Sequence, residues 1–555
     1  MGAEGVAFTA ERPGSMEHGD YATNAALAAG KFLKKNPKEV AENLKQSLDG
    51  KIAGIKKIEI AGAGFINFFL SREAIVEEIQ NAATKKEWGT NDIYKGKSVM
   101  VEYTGSNPFK QFHIGHLMSN AIGESIARIL EQSGAKVSRA NYQGDVGPHV
   151  AKALFVLLEK NIANPTIEDI SKAYVEGASR YEENPADKLA IDELNKKIYE
   201  KTDERVNAVY EIGRRLSLQH FEEIYQILGT KFDFYFFESE TAQKGLEIVL
   251  ARPNIFEQSE GATVFHGEKY GLHTRVFVNK LGLPTYEAKD MGLILEKQQR
   301  GTSDEYIYIT ASEQSEYFKV IFEAAKLVFP EIANKLVHRS HGMMRFASGK
   351  MASRKGNVVT GESLIMDLME EAQKKMKGRE LKDVHNVAQD VAVGAIKYSV
   401  LKQGSGKDII FDPEKSLSLE GDSGPYVQYA HTRALSLIKA SKKASIETAG
   451  ESDFSAAGLH GDVSKSDSPA VSSRAVLERL LLHFRDALER SARELEPHYV
   501  TTYITELAAA FNSWYASERI IGGSNPESGV LLAKAIEQTL SKGLQVLGIP
   551  APEEM

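Results

Sequence analysis

Along the first half of the chain the spacing of hydrophobic positions changes repeatedly, and each change predicts an element. A helical stretch near residues 21–48 gives way to a β-like run, IKKIEIAGAGFINFFLS, at 55–71, so residues 1–72 read as a small mixed module. The charged residues 72–88 predict a connecting helix. The run SVMVEY at 98–103 is short, apolar and β-branched, as a buried strand is. It leads through TGSNPFKQF into HIGH at 113–116. The helix that follows sets Leu117, Ala121, Ile122, Ile126, Ile129 and Leu130 on one side and stops at Gly134. A second strand at 136–145 completes a strand–helix–strand unit, and such units build parallel sheets.

Residues 146–240 are mainly helical and rich in charge, the pattern of an insertion. Strand patterns return at 275–279, 306–310 and 336–338, with a helical segment at 316–328. A loop of glycine, lysine and arginine follows at 349–356. Beyond Tyr426 the chain reads as helical to its end, apart from a Ser/Ala/Gly/Asp-rich break at 443–473 that predicts a flexible surface loop. There is no internal repeat.

Composition narrows the class. The 555 residues suggest about three to five domains, and 42% hydrophobic with 26% charged residues excludes wholesale disorder and fibrous repeats. With 0 cysteines, disulfides, thiolate metal sites and cysteine nucleophiles are ruled out. No apolar run approaches the roughly 18 residues of a membrane span. The N-terminus shows no signal peptide, and Val6 breaks the myristoylation pattern, so a reducing cytoplasm is the expected location. Sixty-eight basic against 76 acidic residues leave a net charge of −8, which argues against a basic coat for nucleic acid but not against a local basic groove.

Four segments carry candidate chemistry. GKS at 96–98 lacks the upstream glycine of a phosphate loop, where Asn91 stands, and precedes a strand instead of following one, so it is rejected. HIGH sets two imidazoles on one face of a turn at a helix N-terminus, an end that attracts phosphate. Gly115, without a Cβ, lets a flat ligand approach, and His113 and His116 are placed to donate to phosphate oxygens. The same spacing also serves a metal pair, or histidines that cap and pack. Lys350, Ser353, Arg354 and Lys355, between Gly349 and Gly356, offer three cations and a hydroxyl that can close on a triphosphate; an isolated basic loop is otherwise solvated surface. Tyr286 and Asp290 face the same way on a helix and suit a guanidinium, unless Asp290 pairs with a neighbouring lysine.

Together these residues carry a resemblance. NPFKQFHIGH with KMASRKGN resembles the HIGH and KMSKS signatures of class I aminoacyl-tRNA synthetases. Within that class the chain is similar to the arginyl family along nearly all its length. HGDYATNAAL with IEIAGAGFINFFL resembles its extra N-terminal domain. LPTYEAKD, ITASEQSEYFK, LEGDSGPYVQYAHTRA and the ending LGIPAPEEM are similar to its arginine-site, bundle-entry and C-terminal motifs. The resemblance implies an α/β fold: a parallel Rossmann-type catalytic domain with helical insertions, a small α+β N-terminal domain and an all-α C-terminal bundle. The expected divisions are 1–72, a connecting helix at 73–97, the catalytic domain at 98–370 with an insertion at about 146–240, a stem-contact linker at 371–425 and an anticodon-binding bundle at 426–555.

The implied activity is ATP-dependent formation of arginyl-adenylate and transfer of the arginyl group to tRNA(Arg). His113, Gly115, His116 and Lys350 would bind ATP. Lys350, Ser353, Arg354 and Lys355 would stabilise the leaving pyrophosphate, with Mg²⁺ expected. Asn107 and His116 would hold the amino acid, Tyr286 and Asp290 its guanidinium, with Gln314 a further contact. In the bundle, Tyr426, Tyr429, His431, Arg433 and Trp514 are the candidates to meet tRNA, because unpaired bases take aromatic platforms and cations; helical aromatics also serve as core. A monomer is expected. Two departures stand out: Ala352 replaces the serine common in the KMS triplet, and only seventeen residues precede His18, so an early N-terminal helix is expected to be shortened or missing. A non-catalytic tRNA-binding relative and a small-molecule nucleotidyl transferase are the competing readings.

Overall fold

The computed structural model describes residues 4–347, 359–448, 472–523 and 525–555. At the N-terminus, β1 (Ala10–Glu11), β2 (Tyr21–Thr23), α1 (Ala25–Leu33), α2 (Pro37–Leu48), β3 (Ile55–Ala61) and β4 (Phe65–Leu70) form an antiparallel sheet of order β1-β2-β4-β3. Val40 and Ala41 pack on Ile58 and Ile66 beneath it. The stretch expected as one helix at 21–48 is a strand and two helices. Pro37 cannot continue a helix but opens one well, and Asn36 caps it by accepting from Lys38 N at 3.0 Å. Residues 55–71 form a hairpin that turns through Gly62 and Gly64, both at positive φ (58° and 134°). Helix α3 (Arg72–Thr84) then leads into the catalytic sheet.

That sheet uses β5 (Ser98–Glu102), β6 (Lys136–Gln143), β7 (Phe234–Phe237), β11 (Glu305–Ala311) and β12 (Leu336–His341), in the order β12-β11-β5-β6-β7 with every neighbour parallel. Helix α4 (Ile114–Gln132) joins β5 to β6. Helices α5 (Pro148–Glu159), α6 (Ile167–Glu183), α7 (Pro185–Glu200) and α8 (Glu204–Ile227) lie between β6 and β7, around a satellite core of Val150, Leu154, Ile170 and Ile191. Between β7 and β11 come α9 (Glu238–Leu250), β8 (Glu257–Ser259), β9 (Ala262–Phe265), β10 (Arg275–Val278) and α10 (Tyr286–Arg300); α11 (Ser315–Val328) joins β11 to β12. The chain runs from β5 to β6 and β7 on one side, then to β11 and β12 on the other. The order therefore reverses beside β5, and the carboxyl end of such a switch point is where open α/β sheets hold ligands.

Two expectations change here. The FYFF run inside the presumed insertion is β7, paired with β6 through Ala140 and Phe234. The strand at 275–279 is outside the parallel sheet: β10 pairs antiparallel with β9 in a separate order β10-β9-β8.

The remainder is helical around one small bridge: β13 (Met344–Phe346), α12 (Gly361–Lys375), α13 (Val384–Leu401), β14 (Ile409–Phe411), α14 (Pro413–Ser416), α15 (Gly424–Thr448), α16 (Ser473–Leu481), α17 (Phe484–Glu494), α18 (His498–Ser517) and α19 (Pro526–Val546), with β13 parallel to β14. A continuous core runs from Val99 and Leu117 through Leu364 and Ile396 to Leu507 and Leu540, so the bundle and the sheet share one interior. The end of α19 is capped from outside the bundle. Ser125 Oγ donates to Val546 O (3.2 Å), Arg128 Nη1 to Gln545 O (3.1 Å) and Lys397 Nζ to Gly548 O (2.7 Å), which satisfies carbonyls a helix end leaves open. The N-terminal module rests on the bundle through Arg479–Asp20 (2.8 Å) and Arg12–Glu506 (2.9 Å). Of the low-complexity break, residues 449–471 lie outside the described residues, as do Lys350, Ala352, Ser353, Arg354 and Lys355. Among the described residues no helix is long and apolar enough to cross a membrane.

Candidate active site

The loop from β5 to α4 is tight. Thr104, Gly105 and Phe109 take positive φ (77°, 64° and 67°), a region costly for side chains other than glycine. Its surroundings hold it there. Thr104 N donates to Ser119 Oγ (3.0 Å), Gly105 N to Asn141 Oδ1 (3.1 Å) and Phe109 N to Ser217 Oγ (3.1 Å). Asn107, in this loop, accepts from Gly144 N at 3.0 Å through Oδ1, so its amide N–H₂ faces the other way.

His113 is the N-cap of α4. Its Nδ1 accepts from Gly115 N (3.1 Å) and His116 N (3.4 Å), while His113 N donates to His116 Nδ1 (3.3 Å), a reciprocal capping box. The rings stack with centroids 3.4 Å apart. Because both Nδ1 atoms accept, the network assigns the proton of each neutral ring to Nε2. Burial, with Lys110 nearby, lowers the pKa of His113; burial, with His113 and Lys110, lowers that of His116 well below its ordinary value. The pair is neutral and donates by N–H. Capping and ligand binding are thus one arrangement, since two of the helix's open amides are occupied and the imidazoles present donors in their place. The space beside Gly115 is filled by His113's own ring, which a Cβ would meet at 3.0 Å.

Beside the loop lies a cluster of carboxylates: Asp290 with Glu102 and Glu238. Asp290, on α10, accepts at Oδ2 from Tyr317 Oη at 2.6 Å. Burial pushes its carboxyl up to about 8, with Glu102 and Glu238 adding to the shift and Lys297 opposing it. Glu238 opens α9 at the end of β7 and pairs with Lys289 at 2.6 Å. A Cβ on Gly144 would meet Asn107 Oδ1 at 2.5 Å and Glu238 Oε1 at 2.9 Å, which sets Asn107 and Glu238 against one backbone atom. Tyr286, the first residue of α10, is 59% exposed, and Lys289 Nζ lies 5.1 Å from its ring centre. Gln314 is exposed one turn before Tyr317. Lys110, half buried and with its pKa lowered by burial, is within electrostatic reach of Glu238 on one side and of both histidines on the other.

Glu238 and Lys110 were not singled out in the sequence. Lys110 stands three residues before His113 and had a signal; Glu238 had none, because only the tertiary fold brings β7 beside β6. The flanks of the basic loop border α4: Thr360 bridges to His113, Gly361 N donates to Phe112 O (2.8 Å), and Met344 packs with Ile114 and Met118.

In the bundle, Arg433 lies between Tyr429 (4.7 Å) and Tyr515 (5.0 Å), and its Nη1 donates to Asn512 at 2.6 Å. Tyr426 lies in the first turn of α15 and is half buried. Trp514 is fully buried and donates to Glu518 (2.6 Å), and His431 is buried against Glu537 (3.2 Å) and Pro552 O (3.2 Å). Neither presents a ring face to solvent, which a base platform requires. Tyr515, beside Arg433, is exposed.

The sequence matches three family models in chain order: "Arginyl tRNA synthetase N terminal domain" over residues 2–70, "tRNA synthetases class I (R), catalytic domain" over 78–413, and "DALR anticodon binding domain" over 427–555. The chain belongs to the arginyl-tRNA synthetase family. An arginine–tRNA ligase of Clostridium botulinum (strain Alaska E43 / Type E3) is 30% identical over 564 residues, covering 98% of this chain and 95% of that protein. One from Clostridium beijerinckii is 30% identical over 567 residues, covering 100% and 97%. The solved Thermus thermophilus arginyl-tRNA synthetase superposes with a TM-score of 0.79 at 26% identity, covering 99% and 96% of the two chains. The Plasmodium falciparum enzyme shares the fold, at TM-score 0.76 and 21% identity over 99% and 94%.

Proposed function

We propose that this chain activates L-arginine with ATP and transfers the arginyl group to the terminal adenosine of tRNA(Arg). The observation that best supports this is the meeting, around one strand-exit loop, of a carboxylate cluster suited to a guanidinium and a pair of neutral N–H donors suited to phosphate oxygens. Asp290 and Glu238 supply negative charge for the guanidinium, with Tyr286 and Gln314 at the mouth. The outward amide of Asn107 suits the substrate's carboxylate. That carboxylate attacks the α-phosphorus of ATP; the bond to the bridging oxygen breaks and pyrophosphate leaves with its electrons. His113 and His116 donate to the phosphate oxygens as charge builds, and Lys110 adds a cation beside them. Lys350, Ser353, Arg354 and Lys355 are the candidates to stabilise the departing pyrophosphate.

In the second step the 2′-hydroxyl of the terminal adenosine attacks the carbonyl carbon of the adenylate and AMP leaves. Among the described residues no group of three or more His, Asp or Glu is placed to hold a metal, and the donors around the phosphates are nitrogen, whereas Mg²⁺ takes oxygen ligands. Magnesium would accordingly arrive with the nucleotide and neutralise its phosphates. Tyr426, Tyr429 and Arg433, with Tyr515, are the bundle residues proposed to meet the anticodon, the N-terminal module a second contact with tRNA, and a reducing cytoplasm the location. The test is charging: purified protein with ATP and labelled arginine should arginylate tRNA(Arg), and no charging over a range of salt and Mg²⁺ concentrations would overturn the proposal.

A further inference from the structure

We infer that Tyr317 is a positioning residue for arginine selection: its hydroxyl fixes the plane of the Asp290 carboxylate so that Oδ1 is aimed at the substrate's guanidinium. The inference rests on the reading of Asp290 as the guanidinium's partner. A carboxylate turns easily about its terminal torsion, where the preference is broad and twofold. Pinning one oxygen removes that freedom and leaves the other for a planar donor fork whose bonds are directional. Tyr317 Oη reaches Asp290 Oδ2 at 2.6 Å, the length of a strong O–H···O⁻ bond. The phenol is held far above its ordinary pKa by burial, with Asp290 and Glu287 adding to the effect, so it stays a donor.

Tyr317 is itself held in place. Arg275, on β10, lies 5.2 Å from its ring centre and bonds Glu287 Oε1 at 3.2 Å. Glu287 and Asp290 both belong to α10. The contacts therefore close a circuit from α10 through β10 and α11 back to α10, and no member can swing without breaking one of them. The charged and titratable groups facing Asp290 come from each surrounding element: Glu102 on β5, Tyr142 on β6, Glu238 on α9, Lys297 on α10, Tyr308 on β11 and Tyr317 on α11. Tyr317 is the hydrogen-bond donor to Asp290 among the described residues, and a donor to the ionised form favours it.

Tyr317→Phe removes the hydroxyl and keeps the ring's packing. Steady-state kinetics from pH 6 to 9, at saturating tRNA, should show the KM for arginine raised about tenfold at pH 7.5, with kcat and the KM for ATP within about twofold. The midpoint of the pH profile of kcat/KM for arginine should move up by about one unit. An unchanged arginine KM, an unmoved midpoint, or equal losses in arginine and ATP KM would each overturn the inference. Asp290→Asn, measured alongside, separates the two levels. If it raises the arginine KM while Tyr317→Phe does not, only the positioning role fails. If it leaves the arginine KM alone, the assignment of Asp290 fails and the role of Tyr317 falls with it.

Discussion

His113 and His116 show how one local choice serves two ends. Their Nδ1 atoms close the α4 N-terminus, and that use is what leaves both Nε2–H groups as donors. Replacing His116 by alanine removes a donor and half of the capping box. kcat for adenylate formation should fall about 10²–10³-fold, as for other single oxyanion donors, and the melting temperature should drop as well. Normal turnover would return His116 to a packing role. Asp290 gives a pH signature. Its carboxyl is pushed up to about 8 because burial disfavours the charge, whereas a guanidinium needs the ionised form. Below that pH, binding must release a proton. The KM for arginine should fall about tenfold per unit from pH 6 to near 8 and level off above it; a flat profile would contradict the assignment. Both residues were legible in the sequence because each sits in a short motif at a helix start. Glu238 and Tyr317 were not: their roles depend on which strands lie side by side, and no local pattern encodes that.

At the scale of elements, the HIGH helix is fixed at both ends. Its start is tied to Thr360 and its last turns to the carbonyls of α19, with Lys397 completing the joint through Leu228 O (2.6 Å) and Gly548 O (2.7 Å). Burial, with Arg128 nearby, lowers the Lys397 amine to about 7, while the unfolded chain keeps it near its ordinary 10.5. Between those values the unfolded state binds more protons, so this residue makes stability rise with pH from 7 to about 10. The melting temperature of the wild type should climb relative to Lys397→Met over that window; parallel curves would show that the amine is not desolvated in solution. The strand and helix periods of β5, α4 and β6 were readable because each keeps its own apolar spacing and is bounded by glycine. The four-residue β7 was hidden: FYFF comes soon after four helices, and an apolar run that short fits a helix end equally well. The break at Pro37 was visible as a residue, but the hydrophobic pattern runs through it.

For the whole molecule, the shared core is the main fact. The C-terminal bundle and the sheet share buried side chains, so whatever binds at α15 and α18 acts on a body continuous with the sheet. Arg433→Ala should raise the KM for tRNA about tenfold while leaving the KM for ATP unchanged, since it would remove a cation held between two tyrosines at the bundle's surface; equal changes in both would contradict a local RNA contact. The order of modules was legible because each carries its own period and composition. Their packing was not, since it rests on contacts such as Arg479–Asp20 between residues more than 400 positions apart. The claim beneath all of this is that the carboxylate cluster and the histidine pair act on one amino acid. ATP–pyrophosphate exchange with each of the twenty amino acids, with and without tRNA, tests it most directly. Exchange driven by arginine alone is the predicted result; exchange driven by another amino acid, or none with any of them even when tRNA is present, would contradict it.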